Sequence, residues 1–91
     1  MLLTYSIMVS GKVQGVFFRQ TCKEKAAAWG ISGSVSNLDD GRVKIIATGT
    51  KEQLSALVDW CRQGPPKAKV EKVEVEELPL QDTRGFTIVR W

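Results

Sequence analysis

Two stretches of the chain hold residue types suited to gripping an anion. The first is Gly11-Lys12-Val13-Gln14-Gly15-Val16-Phe17-Phe18-Arg19, where an alternating segment passes through a glycine-containing loop into the start of a helical pattern. The first N–H groups of a helix lack intrahelical partners and sit at the positive end of its dipole, so such a loop is a ready seat for phosphate. Gly15 permits close backbone approach or positive φ. Arg19 adds a planar fork of donors that can hold two phosphate oxygens at once. A plainer reading makes Gly15 a turn residue and Arg19 a solvated side chain. That reading leaves a conflict, because a cation in a first helical turn is disfavoured by a few tenths of a kcal/mol. A bound anion removes it.

The second stretch is Gly33-Ser34-Val35-Ser36-Asn37-Leu38-Asp39-Asp40-Gly41-Arg42-Val43. Asn37 carries a neutral amide with both donor and acceptor, able to hold a water in line with a phosphorus atom. Its plainer reading is local: Asp40-Gly41 makes a turn and Asn37 ends a strand with a short-range hydrogen bond. The chain contains no histidine, which removes His-based triads, His-based proton transfer and most zinc sites. Cys22 and Cys61, far apart in sequence, make a poor metal site as well. No residue gives a physical reason to expect a cofactor.

The elements that must position these residues follow from periodicity. Thr4 to Val13 alternates, with Tyr5, Ile7, Val9 and Gly11 on one face and Ser6, Met8, Ser10 and Lys12 on the other, which predicts a half-buried strand. Phe18, Cys22, Ala26 and Trp29 recur at helical spacing and Gly30 supplies the stop. Ile31–Asn37 predicts a second strand, Leu38-Asp39-Asp40-Gly41 a hairpin turn and Arg42–Gly49 a third strand. Thr50 and Gln53 form a predicted capping box for a second helix. Leu54, Leu57, Val58 and Cys61 are its apolar stripe, and Gly64-Pro65-Pro66 ends it. Val70–Leu78 and Phe86–Arg90 predict a fourth and a short fifth strand.

The order is β-α-β-β-α-β plus a terminal strand. The fold class expected is therefore α+β: a ferredoxin-like βαββαβ sandwich with an extra C-terminal strand, its two helices on one face of an antiparallel sheet. Running antiparallel, the helices bring Cys22 and Cys61 toward the same end on inward stripes, where they serve as small buried hydrophobes. A disulfide between them is the alternative. Ser6, Met8, Ser10, Lys44, Ile46, Thr48, Glu74 and Glu76 should face outward on the sheet. No pair of exposed aromatics stands there to stack bases, which argues against an RNA-recognition domain. Trp29, Trp60 and Trp91 read as packing residues, and Lys67, Lys69 and Lys72 among Glu71, Glu74, Glu76 and Glu77 as a solvated strand.

The 91 residues fit one domain, spanning 1–91. The apolar share of 43% and charged share of 25% are those of an ordinary globule. A net charge of +3 with a pI near 9.1 suits small anions and is too weak to argue for nucleic acid. Met1 to Val9 lacks the basic start and apolar run of a signal peptide, and nothing approaches the roughly 18 apolar residues of a membrane span. The expected protein is cytoplasmic and monomeric, with reduced cysteines, no membrane contact and no nucleic-acid partner.

Together the two stretches resemble a known family. Val9-x-Gly11-x-Val13-Gln14-Gly15-Val16-x-Phe18-Arg19 resembles the first signature of the acylphosphatases, and Gly33-x-Val35-x-Asn37-x-x-Asp40-Gly41-x-Val43 resembles their second. The similarity runs the length of the chain, including Gly64-Pro65 and Gly85-Phe86. The resemblance implies a small, free-standing, metal-free hydrolase of carboxyl-phosphate anhydrides. It implies a phosphate loop at Gln14, Gly15, Val16, Phe17 and Phe18, with the amides of Gly15 to Arg19 as donors, and it assigns phosphate binding to Arg19 and water positioning to Asn37. It also implies that the substrate's own phosphate takes the water proton, and that inorganic phosphate or sulfate competes. Two positions depart from the family: Ser34 stands where an aromatic residue is common and Ser36 where a basic one is. The rival readings are a non-catalytic ferredoxin-like binding or regulatory module, a domain supporting a larger maturation enzyme, and a purely structural protein. The chain's stop at Trp91, soon after the fifth strand, favours the free-standing enzyme.

Overall fold

The computed structural model describes residues 1–89. Its elements follow the order β1 (Leu3–Lys12), α1 (Phe18–Ala28), β2 (Ser32–Asn37), β3 (Val43–Gly49), α2 (Lys51–Gln63), β4 (Lys69–Leu78) and β5 (Phe86–Val89). Arg90 and Trp91, expected to end the fifth strand and to pack, lie outside the described residues.

The five strands form one sheet in the order β4-β1-β3-β2-β5. β1 pairs antiparallel with β3 and β4, and β2 antiparallel with β3. β5 departs from the antiparallel expectation and adds to β2 in parallel, making the sheet mixed. Its direction follows from its route: residues 79–85 carry the chain from β4 at one edge to β5 at the other.

The inner face carries Ile7, Val9, Val35, Val43, Ile45 and Ala47, all buried. Phe18, Cys22 and Ala26 of α1 and Leu54, Leu57, Val58 and Cys61 of α2 close over it, the stripes that periodicity predicts. Trp29 and Trp60 are half-buried against this core. Each buried Ile, Leu, Val or Phe contributes about 1.5–3 kcal/mol. The ion pairs Arg42–Asp40 and Lys72–Glu74 are exposed and of a kind worth at most about 1 kcal/mol. Packing, not charge, holds the fold.

The Thr50 hydroxyl accepts from the Gln53 amide at 3.2 Å while Gln53 Oε1 accepts from the Thr50 amide at 2.8 Å, the expected capping box. Gly33 has φ 140°, and a Cβ there would lie 1.8 Å from the Ile46 carbonyl oxygen, so only glycine lets β2 pass this close to β3. Thr48, expected to face solvent, is buried along with Thr4. The 79–85 segment covers them: the two hydroxyls meet at 2.8 Å, the Gln81 amide donates to Thr4 Oγ1 at 2.9 Å, and Ser32 pairs with Thr83. β1, β2 and β5 run the same way, so their C-terminal ends share one end of the sheet, opposite this strap.

Candidate active site

At that common end the chain leaves β1, crosses residues 13–17 and begins α1. Gly15 has φ 72° and Phe17 φ 65°, while Gln14 and Val16 keep the usual negative sign; Phe17 is the one non-glycine among the described residues with positive φ. Alternating signs of φ turn successive N–H groups toward one concave side, an anion-binding nest. A Cβ on Gly15 would meet nothing within 4 Å, so the backbone angle, not space, calls for glycine. Val16 is buried in the core and pins the loop from below. Phe18 does the same for the helix start, its ring 5.0 Å from that of Trp60.

The start of α1 is left open. Its N-cap, Phe17, supplies no side-chain bond and its first turn holds no acidic residue. The first helical bond is Thr21 N–H to the Phe17 carbonyl at 3.1 Å. Among the described residues, no protein acceptor takes the N–H groups of Gly15 to Gln20. Arg19, the second residue of α1, is half-buried and makes no ion pair among the described residues.

Asn37 is the last residue of β2, opposite Val43. The hairpin beyond it closes through Leu38 N–H to the Arg42 carbonyl at 2.8 Å and Gly41 N–H to the Leu38 carbonyl at 3.1 Å. Asp40 belongs to this turn: it accepts from the Arg42 amide at 3.1 Å and from Arg42 Nε at 2.8 Å. The Arg42 side-chain bond first, and its backbone bond second, lower the Asp40 pKa, and the same pairing raises that of Arg42. These two groups are committed to each other rather than to chemistry.

One contact ties the two stretches together. Gln14 Nε2 donates to the Leu38 carbonyl at 2.8 Å and to the Arg42 carbonyl at 3.0 Å. The Gln14 side chain is thus a strut between the loop, whose amides are the expected phosphate donors, and the hairpin that carries Asn37.

An open cleft of about 450 Å³ lies between them, lined by Val13, Gly15, Phe17, Phe18, Arg19, Gln20, Asn37 and Ile88. Of the residues expected at the site it gathers Gly15, Phe17, Phe18, Arg19 and Asn37, while Gln14 and Val16 support it from outside. Sequence reading did not foresee the Phe17 ring, Gln20 or Ile88 as walls: an apolar residue between two others gives no periodic signal, and Ile88 arrives only through the parallel β5–β2 pairing. Ser36, at a position where the family often has a basic residue, pairs with Lys44 of the neighbouring β3, so that row of the sheet still carries a cation. Among the described residues, no three His, Cys, Asp or Glu side chains gather where a metal ion could be held, and no helix is long and apolar enough to cross a membrane.

Comparison with known proteins gives a consistent result. The family model described as Acylphosphatase matches residues 5–88. An acylphosphatase of Rubrobacter xylanophilus is 51% identical over 83 residues, covering 90% of this chain and 76% of the relative. One from Marinobacter nauticus is 48% identical over 86 residues, covering 94% and 91%. The solved acylphosphatase structure from Coxiella burnetii superposes with a TM-score of 0.94 at 38% identity, covering 97% of this chain and 93% of that one.

Proposed function

The chain belongs to the acylphosphatase family, and from that premise we propose how its own cleft hydrolyses an acyl phosphate. The enzyme cleaves a small carboxyl phosphate to carboxylate and inorganic phosphate. In this reading the amides of Gly15 to Arg19 and the Arg19 guanidinium hold the nonbridging phosphoryl oxygens, and Asn37 orients the attacking water. The observation that carries it is a single cleft taking in a helix start with no cap, an arginine with no ion pair among the described residues, and the Asn37 amide.

The step balances without a protein base. The water oxygen bonds to phosphorus as the phosphorus–acyl oxygen bond breaks, and the electron pair leaves on the carboxylate. The water proton passes to a phosphoryl oxygen, giving RCOO⁻ and H₂PO₄⁻. A carboxylate, whose conjugate acid has a pKa near ~4, needs no general acid to depart. What remains is positioning and stabilisation of oxygen charge, each donor of this kind being worth about 10²–10³ in rate.

The proposal includes a monomer acting in the cytoplasm, with inorganic phosphate or sulfate as competing ligands. Free, buried Cys22 and Cys61 suit a reducing compartment. The β4 edge carries Lys69 and Lys72 among Glu71, Glu74, Glu76 and Glu77, with a register shift against β1 between Ser10 and Gly11, devices that discourage strand addition. The test is hydrolysis of benzoyl phosphate by Asn37→Ala: kcat falls by about 100-fold or more while inorganic phosphate still competes as it does for the parent. Near-parent turnover by that variant removes Asn37 from the water.

A further inference from the structure

The cleft is larger than a phosphoryl group requires. Its volume of about 450 Å³ lies in the range of about 300–1,000 Å³ that accommodates whole organic ligands. Its polar donors, the loop amides with Arg19 and Asn37, account for the anion. The apolar side chains of Phe17 and Ile88, which also line it, do not.

Phe17 combines two unfavourable features. The residue is 73% exposed, against burial of Phe18 beside it. Its φ of 65° lies in the left-handed region that side-chain-bearing residues avoid. The angle has a reason, since it turns the Phe17 N–H into the nest. The ring has none in the packing of the described residues, since it joins no core cluster among them. It lines the cleft from the residue whose N–H belongs to the nest, and half-buried Ile88 of β5 lines the same cleft. An acyl phosphate held in this nest by its phosphoryl oxygens carries its acyl carbon one bridging oxygen away from phosphorus, so the acyl half lies in or beside the cleft that the ring lines.

We propose that Phe17 and Ile88 form the subsite for the acyl half of the substrate, and that the enzyme selects carboxyl phosphates with an aryl or bulky alkyl group over acetyl phosphate. The inference rests on the acyl phosphate reading above and adds the class of acyl group to it. An aryl ring meeting Phe17 offset or edge-on, and an alkyl chain lying on Ile88, lose apolar surface to water on binding, whereas a methyl group loses little.

The experiment compares kcat/KM for benzoyl phosphate and acetyl phosphate in the parent, Phe17→Gly and Phe17→Trp. Both substrates share the phosphoryl group, so the benzoyl-to-acetyl ratio cancels changes in the cradle, in active fraction and in intrinsic reactivity. Glycine suits the φ of the site, so Phe17→Gly removes the ring and relieves the angle together. The ratio should fall about tenfold in Phe17→Gly and be kept or raised in Phe17→Trp. Should Phe17→Gly not fold, Phe17→Asn, which also tolerates the left-handed region, reads the same ratio. A ratio within about twofold of the parent's in the ring-deleted variant overturns the subsite. Failure of the parent to hydrolyse either substrate instead overturns the reading of the cleft, so the two failures are distinct.

Discussion

Arg19 follows the loop in sequence and Arg42 is bonded to it through Gln14, yet only Arg19 lines the cleft without an ion pair among the described residues. Arg42 spends its guanidinium and its amide on Asp40 at 2.7–3.1 Å, fixing a turn. Arg19 has no such partner among the described residues and lines the cleft. Its planar fork is what a tetrahedral anion needs, and lysine offers a point charge in its place. Arg19→Lys should therefore lose both substrate binding and turnover, with kcat/KM down by about 10²–10³, measured with benzoyl phosphate. Recovery of most of the activity by lysine would show that charge alone suffices. Of this residue-scale chemistry the sequence displayed Gly15, Arg19 and Asn37, because each type has a distinctive use. It named Phe17 only for its amide, since nothing in an apolar side chain announces a left-handed backbone or an exposed ring, and it gave no sign of the Gln14 side-chain bonds, whose partners lie 24 and 28 residues away.

The two helices begin in opposite ways, and the proposed function uses the difference. α2 closes its start with Thr50 and Gln53, both visible in sequence as a capping box. α1 begins from a nest with no cap and relies on Val16 and Phe18 packing to keep its geometry. The Gln14 strut then sets the distance between that nest and the end of β2. The Leu38 and Arg42 carbonyls each keep a second donor within the hairpin, so Gln14→Leu should cost only about 1–2 kcal/mol of stability. Its larger effect should fall on kcat, by about tenfold or more, with KM little changed, because the water proposed to sit on Asn37 would shift relative to phosphorus. Gln14→Asn, too short to span both carbonyls, should not restore it. Denaturant unfolding and steady-state kinetics on the same samples decide this, and unchanged kcat in a folded Gln14→Leu refutes the strut.

Across the whole molecule, burial shapes the thiols. Cys61 is pushed up to about 12 by burial, and Cys22 is raised by burial first and by Cys61 second. An unfolded thiol ionises near ~8.5. Below that pH both states are protonated and the contribution is complete; above it the unfolded chain sheds protons that the folded one retains, and stability declines toward pH 12 by up to about 1.4 kcal/mol per pH unit for each thiol. Denaturant midpoints between pH 8 and 11 should fall less steeply in Cys22→Ala/Cys61→Ala than in the parent. The inner strand faces, both helical stripes and the hairpin were legible because their signals are local. The parallel pairing of β5 and the burial of Thr4 and Thr48 beneath the strap were not, since both depend on segments distant in sequence. The shared direction of β1, β2 and β5 has a mechanical corollary. Tension applied between Leu3 and Val89 acts along the strands, so it loads whole ladders in shear instead of peeling them bond by bond. A molecule held this way should yield abruptly, with its cleft surviving nearly to the point of rupture.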